Sequence, residues 1–195
     1  MADRKVIILG CGGFVGSHLT ERLLSDGRFK VIGFDLTDSK CRHLLGDPNF
    51  DFTKGYVDAT NTEAVLEPVL DGAEAIFSLA AVCNPAEYVK NPVFTINSNF
   101  IHAYKLVELC TQVRAWLIHT STCEVYGDLA LDSNEEFSET SPYRPRTPYN
   151  ASKAAADMTV RAYFETFSLP VTISNCSNNY GPYQFPEKMI PLMIL

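Results

Sequence analysis

The chain has 195 residues, of which 46% are hydrophobic and 20% are charged, and its formal net charge is -7. This composition is typical of a globular domain, and the acidic balance argues against binding to nucleic acid or to an anionic membrane. No apolar run has the length of a membrane helix and no secretory leader opens the chain, so we expect a cytoplasmic protein. The six cysteines form no CxxC pair, so no metal site is expected.

Apolar runs alternate with helix-like stretches along the chain, which indicates βαβ units and a parallel sheet. Strands are predicted over residues 6–9, 30–34, 55–57, 75–80, 115–120 and 171–174. Helices are predicted over residues 16–24, 62–70, 97–110 and 149–167. Residues 127–146 are polar and contain prolines, so we expect a surface loop there. The predicted fold class is α/β, a doubly wound parallel sheet in three αβα layers, the Rossmann arrangement.

A glycine-rich turn lies between the first predicted strand and the first predicted helix. Glycines at this point let backbone amides approach a pyrophosphate at the positive end of the helix. Asp35 ends the second strand about 20 residues later, where a carboxylate can bind both ribose hydroxyls and would repel a 2′-phosphate. NAD is therefore favoured over NADP. The residues predicted to bind it here are Gly10, Gly13, Phe14, Val15, Gly16 and Asp35.

Two further positions extend the predicted NAD site. Asp58 follows the third predicted strand, where it can reach an adenine amino group or, equally, cap the helix that follows. Leu79, Ala80 and Ala81 end the fourth strand in a stretch rich in small residues. Such a stretch lets a dinucleotide lie close to the backbone, although small residues serve helix packing as well.

Tyr149 and Lys153 stand one helical turn apart, so their side chains face the same way. A lysine ammonium beside a phenol is predicted to lower the pKa of the tyrosine and also to hold the nicotinamide ribose. The tyrosine can then take a proton from a sugar hydroxyl while the cofactor accepts a hydride. This spacing is common by chance and gains its meaning from the glycine-rich turn that precedes it.

Thr122, Cys123 and Glu124 follow the fifth strand, at the sheet edge where such folds bind ligands. Thr122 can hydrogen-bond the reacting hydroxyl. Glu124 can remove a proton next to a new ketone, and Cys123 can protonate a leaving group. The alternative is that Cys123 fills buried space and Glu124 caps a turn.

With these motifs in order, the chain resembles, over essentially its whole length, the extended short-chain dehydrogenase/reductases of the NAD-dependent epimerase/dehydratase family. The resemblance implies NAD as cofactor, a nucleotide-diphosphate sugar as substrate and a 4-keto intermediate. It also implies a homodimer, in which the helices predicted over residues 97–110 and 149–167 pair across a four-helix interface.

Within that family, the segment from Thr147 to Lys188 looks very similar to dTDP-glucose 4,6-dehydratases. That similarity implies that Asn178, Glu187 and Lys188 contact the nucleotide sugar. Those enzymes carry Thr-Asp-Glu where this chain has its Thr-Cys-Glu run, so Cys123 is a departure that bears on how water would be expelled.

The middle of the chain points elsewhere. Residues 79–88, 98–100 and the Thr-Cys-Glu run resemble UDP-apiose/UDP-xylose synthases and UDP-glucuronate decarboxylases. This resemblance implies that Cys83, Tyr88 and Cys123 belong to the active site, whereas decarboxylases carry an arginine where this chain has Asn175. We therefore expect dehydratase-type elimination first, decarboxylation of a UDP-glucuronate second and epimerisation third. A non-catalytic NAD-binding protein is the alternative from a different class.

The organisation follows from these motifs. Residues 1–174 are predicted to form the NAD-binding Rossmann domain, and residues 175–195 to begin a substrate-binding region. Residues 187–195 read as the start of an amphipathic helix that ends with the chain and has no cap. We therefore expect the C-terminal substrate domain to be largely absent from this sequence.

Overall fold

A parallel six-stranded sheet forms the centre of the molecule, in a computed structural model that describes residues 4–58, 60–186 and 188–195. The strands are β1 (Arg4–Leu9), β2 (Phe29–Asp35), β3 (Phe50–Lys54), β4 (Ala73–Ser78), β5 (Trp116–Thr122) and β6 (Val171–Cys176). Their order in the sheet is β3-β2-β1-β4-β5-β6. The chain adds β2 and β3 on one side of β1 and then β4, β5 and β6 on the other side, so the strand order changes direction between β1 and β4. In doubly wound sheets, ligands bind outside the carboxyl ends of the strands at such a switch point. The predicted fold class is therefore confirmed.

Helices connect the strands and cover both faces of the sheet. They are α1 (Phe14–Asp26), α2 (Thr62–Leu70), α3 (Pro85–Lys90), α4 (Pro92–Ile96), α5 (His102–Val113), α6 (Pro148–Phe167) and α7 (Met189–Ile194). A π-helical turn (Asn97–Ile101) joins α4 to α5, and short 3₁₀ helices cover Arg42–Leu44 and Cys123–Tyr126. Of the helices that the structure describes, none has both the length and the apolar character needed to cross a membrane. In the same described ranges, no group of three His, Cys, Asp or Glu side chains is arranged to hold a metal ion.

The predicted elements differ from the observed ones in two places. The strand predicted over residues 55–57 is wrong, because β3 lies earlier, where Phe50 is buried and pairs with Val31 of β2. The helix predicted over residues 97–110 begins as the π-helical turn and becomes an α-helix only at His102. The spacing of apolar residues does not distinguish a π-helical turn from an α-helix, so the sequence pattern could not predict the π turn.

The core has two halves, one on each face of the sheet, and β1 contributes to both. Ile7 and Leu9 pack on the side of α2, α5 and α6, whereas Val6 and Ile8 pack on the side of α1. These four side chains are at most 2% exposed, which explains why the strand is apolar throughout rather than alternating. Removal of this much apolar surface from water is the main stabilising contribution to the fold.

Histidine 102 makes the fold sensitive to acid. His102 is 2% exposed, its Nδ1 lies 2.8 Å from Thr62 Oγ1, and burial followed by the charge of Lys153 lowers its pKa to about 4. Between about pH 6.5, the ordinary value, and about pH 4, the unfolded chain binds a proton that the folded chain does not. Stability therefore falls as the pH drops through this range, and we expect His102 to remove about 2 kcal/mol from the free energy of unfolding between about pH 7 and pH 5.

Urea unfolding at these two pH values tests this expectation. His102→Gln keeps a polar side chain that does not titrate, so its loss of stability on acidification is expected to be smaller by about that amount. His43→Gln is the matched control, because the His43 side chain is 46% exposed. An equal loss on acidification in the wild type and in His102→Gln would contradict the assignment.

Candidate active site

The turn between β1 and α1 requires glycine at several positions for packing alone. Gly10 has φ +94°, and a Cβ added there would lie 2.9 Å from the backbone nitrogen of Ala80. A Cβ on Gly12 would lie 1.8 Å from the carbonyl oxygen of Thr37, and one on Gly16 would lie 1.9 Å from that of Gly10. A Cβ on Gly13 would lie 3.2 Å from the carbonyl oxygen of Gly10. Packing therefore accounts for three of these glycines, whereas a Cβ at Gly13 would need a shift of only a few tenths of an ångström.

Asp35 stands beside this turn at the carboxyl end of β2. Its carboxylate accepts a hydrogen bond from the backbone N–H of Gly12 at 3.0 Å and another from that of Thr37 at 3.1 Å. A carboxylate has further lone pairs, so it can still accept from ribose hydroxyls. The first-turn amides of α1 have no intrahelical acceptor, as at any helix N-terminus. The turn is shaped by glycines, and it presents both free backbone amides and the Asp35 carboxylate. This combination fits a dinucleotide such as NAD.

Asp58 lies in the turn before α2. Its Oδ1 accepts hydrogen bonds from the N–H and the hydroxyl of Thr60, at 2.7 and 2.6 Å, and the hydroxyl contact is the main cause that lowers the pKa of the carboxyl. These bonds close a local turn just before the helix, whose N-cap is Asn61, so the side chain of Asp58 is not itself the helix cap. The predicted contact of Asp58 with adenine stays a prediction.

One cleft brings most of the predicted site residues together at the carboxyl ends of β4, β5 and β6. The space inside it that water-sized molecules can occupy is about 260 Å³. The predicted residues that line it are Phe14, Val15, Leu79, Ala81, Cys83, Tyr88, Thr122, Glu124, Tyr149, Lys153, Asn178 and Lys188. The cleft therefore joins the glycine-rich turn, the Thr-Cys-Glu run and the Tyr/Lys pair in one continuous surface.

The other predicted residues lie around this cleft. Gly10 and Gly16 shape the glycine-rich turn, and Ala80 packs against Gly10, where its backbone N–H also donates to Leu9 O at 2.9 Å. Cys123 packs against the small apolar cluster of Val125, Tyr126 and Ala154. Glu187 lies outside the described residues.

Tyr149 is held at the start of α6 by two local features. Thr147 caps the helix, its Oγ1 accepting from Asn150 N at 3.1 Å, and the Tyr149 ring stacks on Tyr88 with centroids 5.8 Å apart. Burial, followed by the nearby Cys83 and Glu124, raises the pKa of Tyr149. This shift is opposite to the predicted one, because the loss of hydration and the nearby acidic groups disfavour the phenolate.

Lys153 is buried on the next turn of α6. Its Nζ donates to Thr120 O at 2.7 Å, and only 4% of the residue is exposed. Burial lowers the pKa of the ammonium, and Asp157 is the largest of the influences that raise it. The amine is therefore fixed against the end of β5 and faces the cleft.

Thr122 is the last residue of β5 and starts the short 3₁₀ helix. Its Oγ1 accepts from Glu124 N at 3.2 Å, and its hydroxyl, which can donate one proton, also lies within hydrogen-bonding reach of the neighbouring Cys123 thiol. Glu124, two residues after Thr122, also lines the cleft. Burial, followed by the charge of Glu124, raises the pKa of Cys123, so the thiol stays protonated and retains a proton to donate.

The sequence analysis missed Asn99 as a residue that builds the site. Its side chain accepts from Val82 N at 2.8 Å and donates to Val82 O at 3.0 Å and to Ser152 Oγ at 3.1 Å. Asn99 thus joins the segment before Cys83 to the helix of Tyr149 and Lys153. Its position in the π-helical turn is the structural cause, and π turns occur often at functional sites.

Comparison with known proteins agrees with this geometry. The model of the NAD dependent epimerase/dehydratase family matches residues 6–195. A dTDP-glucose 4,6-dehydratase of Mycobacterium tuberculosis is 37% identical over 193 residues, which are 97% of this chain and 58% of that protein. The chain therefore spans less than two thirds of the length of this relative.

Solved structures give the same result. A dTDP-glucose 4,6-dehydratase from Bacillus anthracis in complex with NAD has a TM-score of 0.85 and 34% identity, over 98% of this chain and 60% of that one. A UDP-glucuronic acid 4-epimerase from Bacillus cereus in complex with NAD has a TM-score of 0.86 and 26% identity, over 97% of this chain and 61% of that one. Fold, site geometry and family match agree, and the chain belongs to the NAD dependent epimerase/dehydratase family.

Proposed function

We propose that the protein converts a nucleotide-diphosphate sugar through a 4-keto intermediate with NAD as a retained cofactor, by dehydratase-type elimination. The observation that carries the proposal is the convergence of Tyr149, Lys153, Thr122 and Glu124 on one cleft beside the glycine-rich turn. The similar proteins support it, since they include dTDP-glucose 4,6-dehydratases, one of them in a structure with NAD bound. Residues 1–174 serve as the NAD-binding domain in this proposal, and residues 175–195 begin the substrate-binding region.

The cofactor is held by groups of the chain on both sides of the turn. Gly13 and the first amides of α1 would hold the pyrophosphate of NAD, Asp35 would bind its adenosine ribose, and Lys153 would bind its nicotinamide ribose. Asp35 also selects NAD, because a carboxylate there repels a 2′-phosphate. When bound, NAD supplies a hydride acceptor that later returns the hydride to the sugar.

The chain's own groups move the protons. Thr122 donates a hydrogen bond to the 4-hydroxyl of the sugar, and the Tyr149 oxygen takes the proton of that hydroxyl. Since burial disfavours the phenolate, this transfer depends on positive charge nearby, which the Lys153 ammonium supplies from the next turn of the helix. Glu124 then removes the C5 proton, which the ketone has acidified, and Cys123 protonates the leaving hydroxyl. Asn178 and Lys188, which line the cleft, and Glu187 bind the nucleotide sugar.

Decarboxylation of a UDP-glucuronate is the second candidate, and the position of Cys83 favours it. Cys83 lines the cleft, and after burial it is the largest influence on the pKa of Tyr149, which places it near that side chain. Tyr88, which stacks on Tyr149, lies in the same wall. Epimerisation is the third candidate, as an epimerase is among the similar structures.

Mass spectrometry of the products separates these candidates. The protein is incubated with NAD and either dTDP-glucose or UDP-glucuronate. Loss of water from the glucose compound would support elimination, whereas loss of carbon dioxide from the glucuronate would establish decarboxylation instead. A product of unchanged mass but altered stereochemistry would establish epimerisation. Binding of NAD without conversion of either sugar would contradict both of the first two candidates.

The assembly is proposed to be a homodimer in the cytoplasm. Apolar side chains are exposed on the two helices that were predicted to pair, with Tyr104 40%, Met158 58%, Phe164 51% and Phe167 51% exposed. Burial of such side chains in a second copy of the chain would remove them from water. Light scattering of the purified protein tests the dimer, and a monomer at micromolar concentration would contradict it.

A further inference from the structure

A buried carboxylate lies behind the Tyr149/Lys153 pair. Asp157 is on α6, one helical turn beyond Lys153, and 0% of it is exposed. Buried carboxylates are rare unless they are paired and hydrogen-bonded, because the loss of hydration costs several kcal/mol. The proposed reaction gives Asp157 no contact with the sugar, so its position needs a separate explanation.

Three donors from separate parts of the chain converge on one oxygen of Asp157. Its Oδ2 accepts from Ser121 Oγ at 2.7 Å, from Tyr143 OH at 3.0 Å and from Asn175 Nδ2 at 3.1 Å. Ser121 is in β5 directly before Thr122, and Asn175 is in β6. The carboxylate therefore fixes the strand end that carries Thr122 against the helix that carries Tyr149. Three donors on one oxygen offset part of the cost of burying this group.

The charge of this carboxylate has one buried counterpart among the groups around it. His119 Nε2 lies 3.3 Å from Asp157 Oδ1, but burial lowers the pKa of His119, so the imidazole is neutral near pH 7. Arg161, one turn further along α6, is exposed, and solvent screens its charge. Lys153 is the buried ammonium, and Asp157 is the largest influence that opposes the effect of burial on its pKa.

We propose that Asp157 is a positioning residue of the active site: its carboxylate joins the end of β5 to α6 and supplies the negative charge that balances the Lys153 ammonium in the core. The catalytic meaning of this role rests on the function proposed above. The pairing of the Asp157 and Lys153 charges does not depend on that function, so the charge pairing and the proposed function can be tested separately.

Other titratable groups face the pair. Tyr126 and Tyr143 face Asp157 from the segment between β5 and α6, and Tyr149 faces it from α6 itself. Cys83, Cys176 and His102 face Lys153. None of these side chains carries a positive charge near pH 7, because the pKa of His102 is lowered to about 4 and its imidazole is neutral there. Any large change in the titration of Lys153 on removal of Asp157 is therefore assigned to the lost carboxylate.

The titration of Lys153 tests the proposal directly. Carbon-13 label at the lysine Cε reports each ammonium by NMR, and the signal that disappears in Lys153→Met is assigned to Lys153. Asp157→Asn keeps the shape of the side chain and removes its charge, so the Lys153 midpoint is expected to fall by about one pH unit or more. Tyr143→Phe is the matched control: it removes one donor to Asp157 and leaves the charge, and its Lys153 midpoint is expected to stay within a few tenths of a unit of the wild type.

A double-mutant cycle covers the case in which Asp157→Asn unfolds the protein. Lys153→Met, Asp157→Asn and the double variant are compared by urea unfolding. If the charges balance each other, the double variant is more stable than the sum of the single losses predicts, because neither single charge is left alone in the core. An unchanged Lys153 midpoint, or additive losses, would overturn the proposal. A shifted midpoint in a protein that converts no sugar would leave the charge pairing standing and refute only the proposed function.

Discussion

Tyr149→Phe is expected to stop sugar conversion while NAD still binds. The substitution removes only the phenolic oxygen, and the ring can keep its stack on Tyr88, whose centroid is 5.8 Å away. A positioned general base contributes about 10²- to 10⁴-fold to a rate, so turnover is expected to fall by a factor in that range. The affinity for NAD is expected to change by less than about threefold, because Asp35 and the glycine-rich turn are untouched.

Single-turnover measurement of NADH absorbance reports the first hydride step and thus the role of Tyr149 most directly. The matched control is Tyr163→Phe on the same helix, where the hydroxyl is lost from a ring packed against Tyr104 and Phe167. Its turnover is expected to equal that of the wild type. If Tyr149→Phe formed NADH at the wild-type rate, the assignment of Tyr149 as the proton acceptor would be wrong, even though the fold and the cofactor site would stand.

The fold was predictable because its signals are local and strong. Val6 to Leu9 is apolar at every position, as a strand buried on both faces must be, and it is buried in the structure. The helix predicted over residues 62–70 is observed with the same bounds. The third strand was misplaced because the run at 50–54 contains Asp51 and Thr53 on its exposed side, whereas Tyr56 and Val57 gave a more apolar signal in the turn that follows.

The site was predictable where its residues lie close together in one sequence motif. It was not predictable where segments far apart in the sequence come into contact. The four-residue spacing of Tyr149 and Lys153 fixes their common face, and both line the cleft. The contact of Asn99 with Ser152 joins positions 53 residues apart, which no spacing rule predicts. The pKa of Tyr149 was predicted with the wrong sign because the sequence shows the neighbouring charge but not the depth of burial.

Gly13→Asp is expected to leave the fold intact and to abolish most NAD binding. Gly13 is the N-cap of α1, with φ -76° and ψ 176°, a conformation open to any residue and one in which aspartate is a preferred cap. A Cβ at this position meets its nearest neighbour, Gly10 O, at 3.2 Å. The free energy of unfolding is therefore expected to change by less than about 1 kcal/mol.

The added carboxylate would stand where the proposed pyrophosphate binds, and like charges about 4 Å apart repel by about 4 kcal/mol near a protein surface. We expect the Kd for NAD, measured by calorimetry, to rise at least about a hundredfold. Gly13→Asn has nearly the same shape without the charge, and a rise of about tenfold or less is expected for it. Gly16→Ala is expected to lower the free energy of unfolding instead, because its Cβ would lie 1.9 Å from Gly10 O and the fold would have to shift. Equal NAD affinities of Gly13→Asp and Gly13→Asn would mean that no phosphate charge lies at this turn, and the cofactor would have to be placed elsewhere along the cleft.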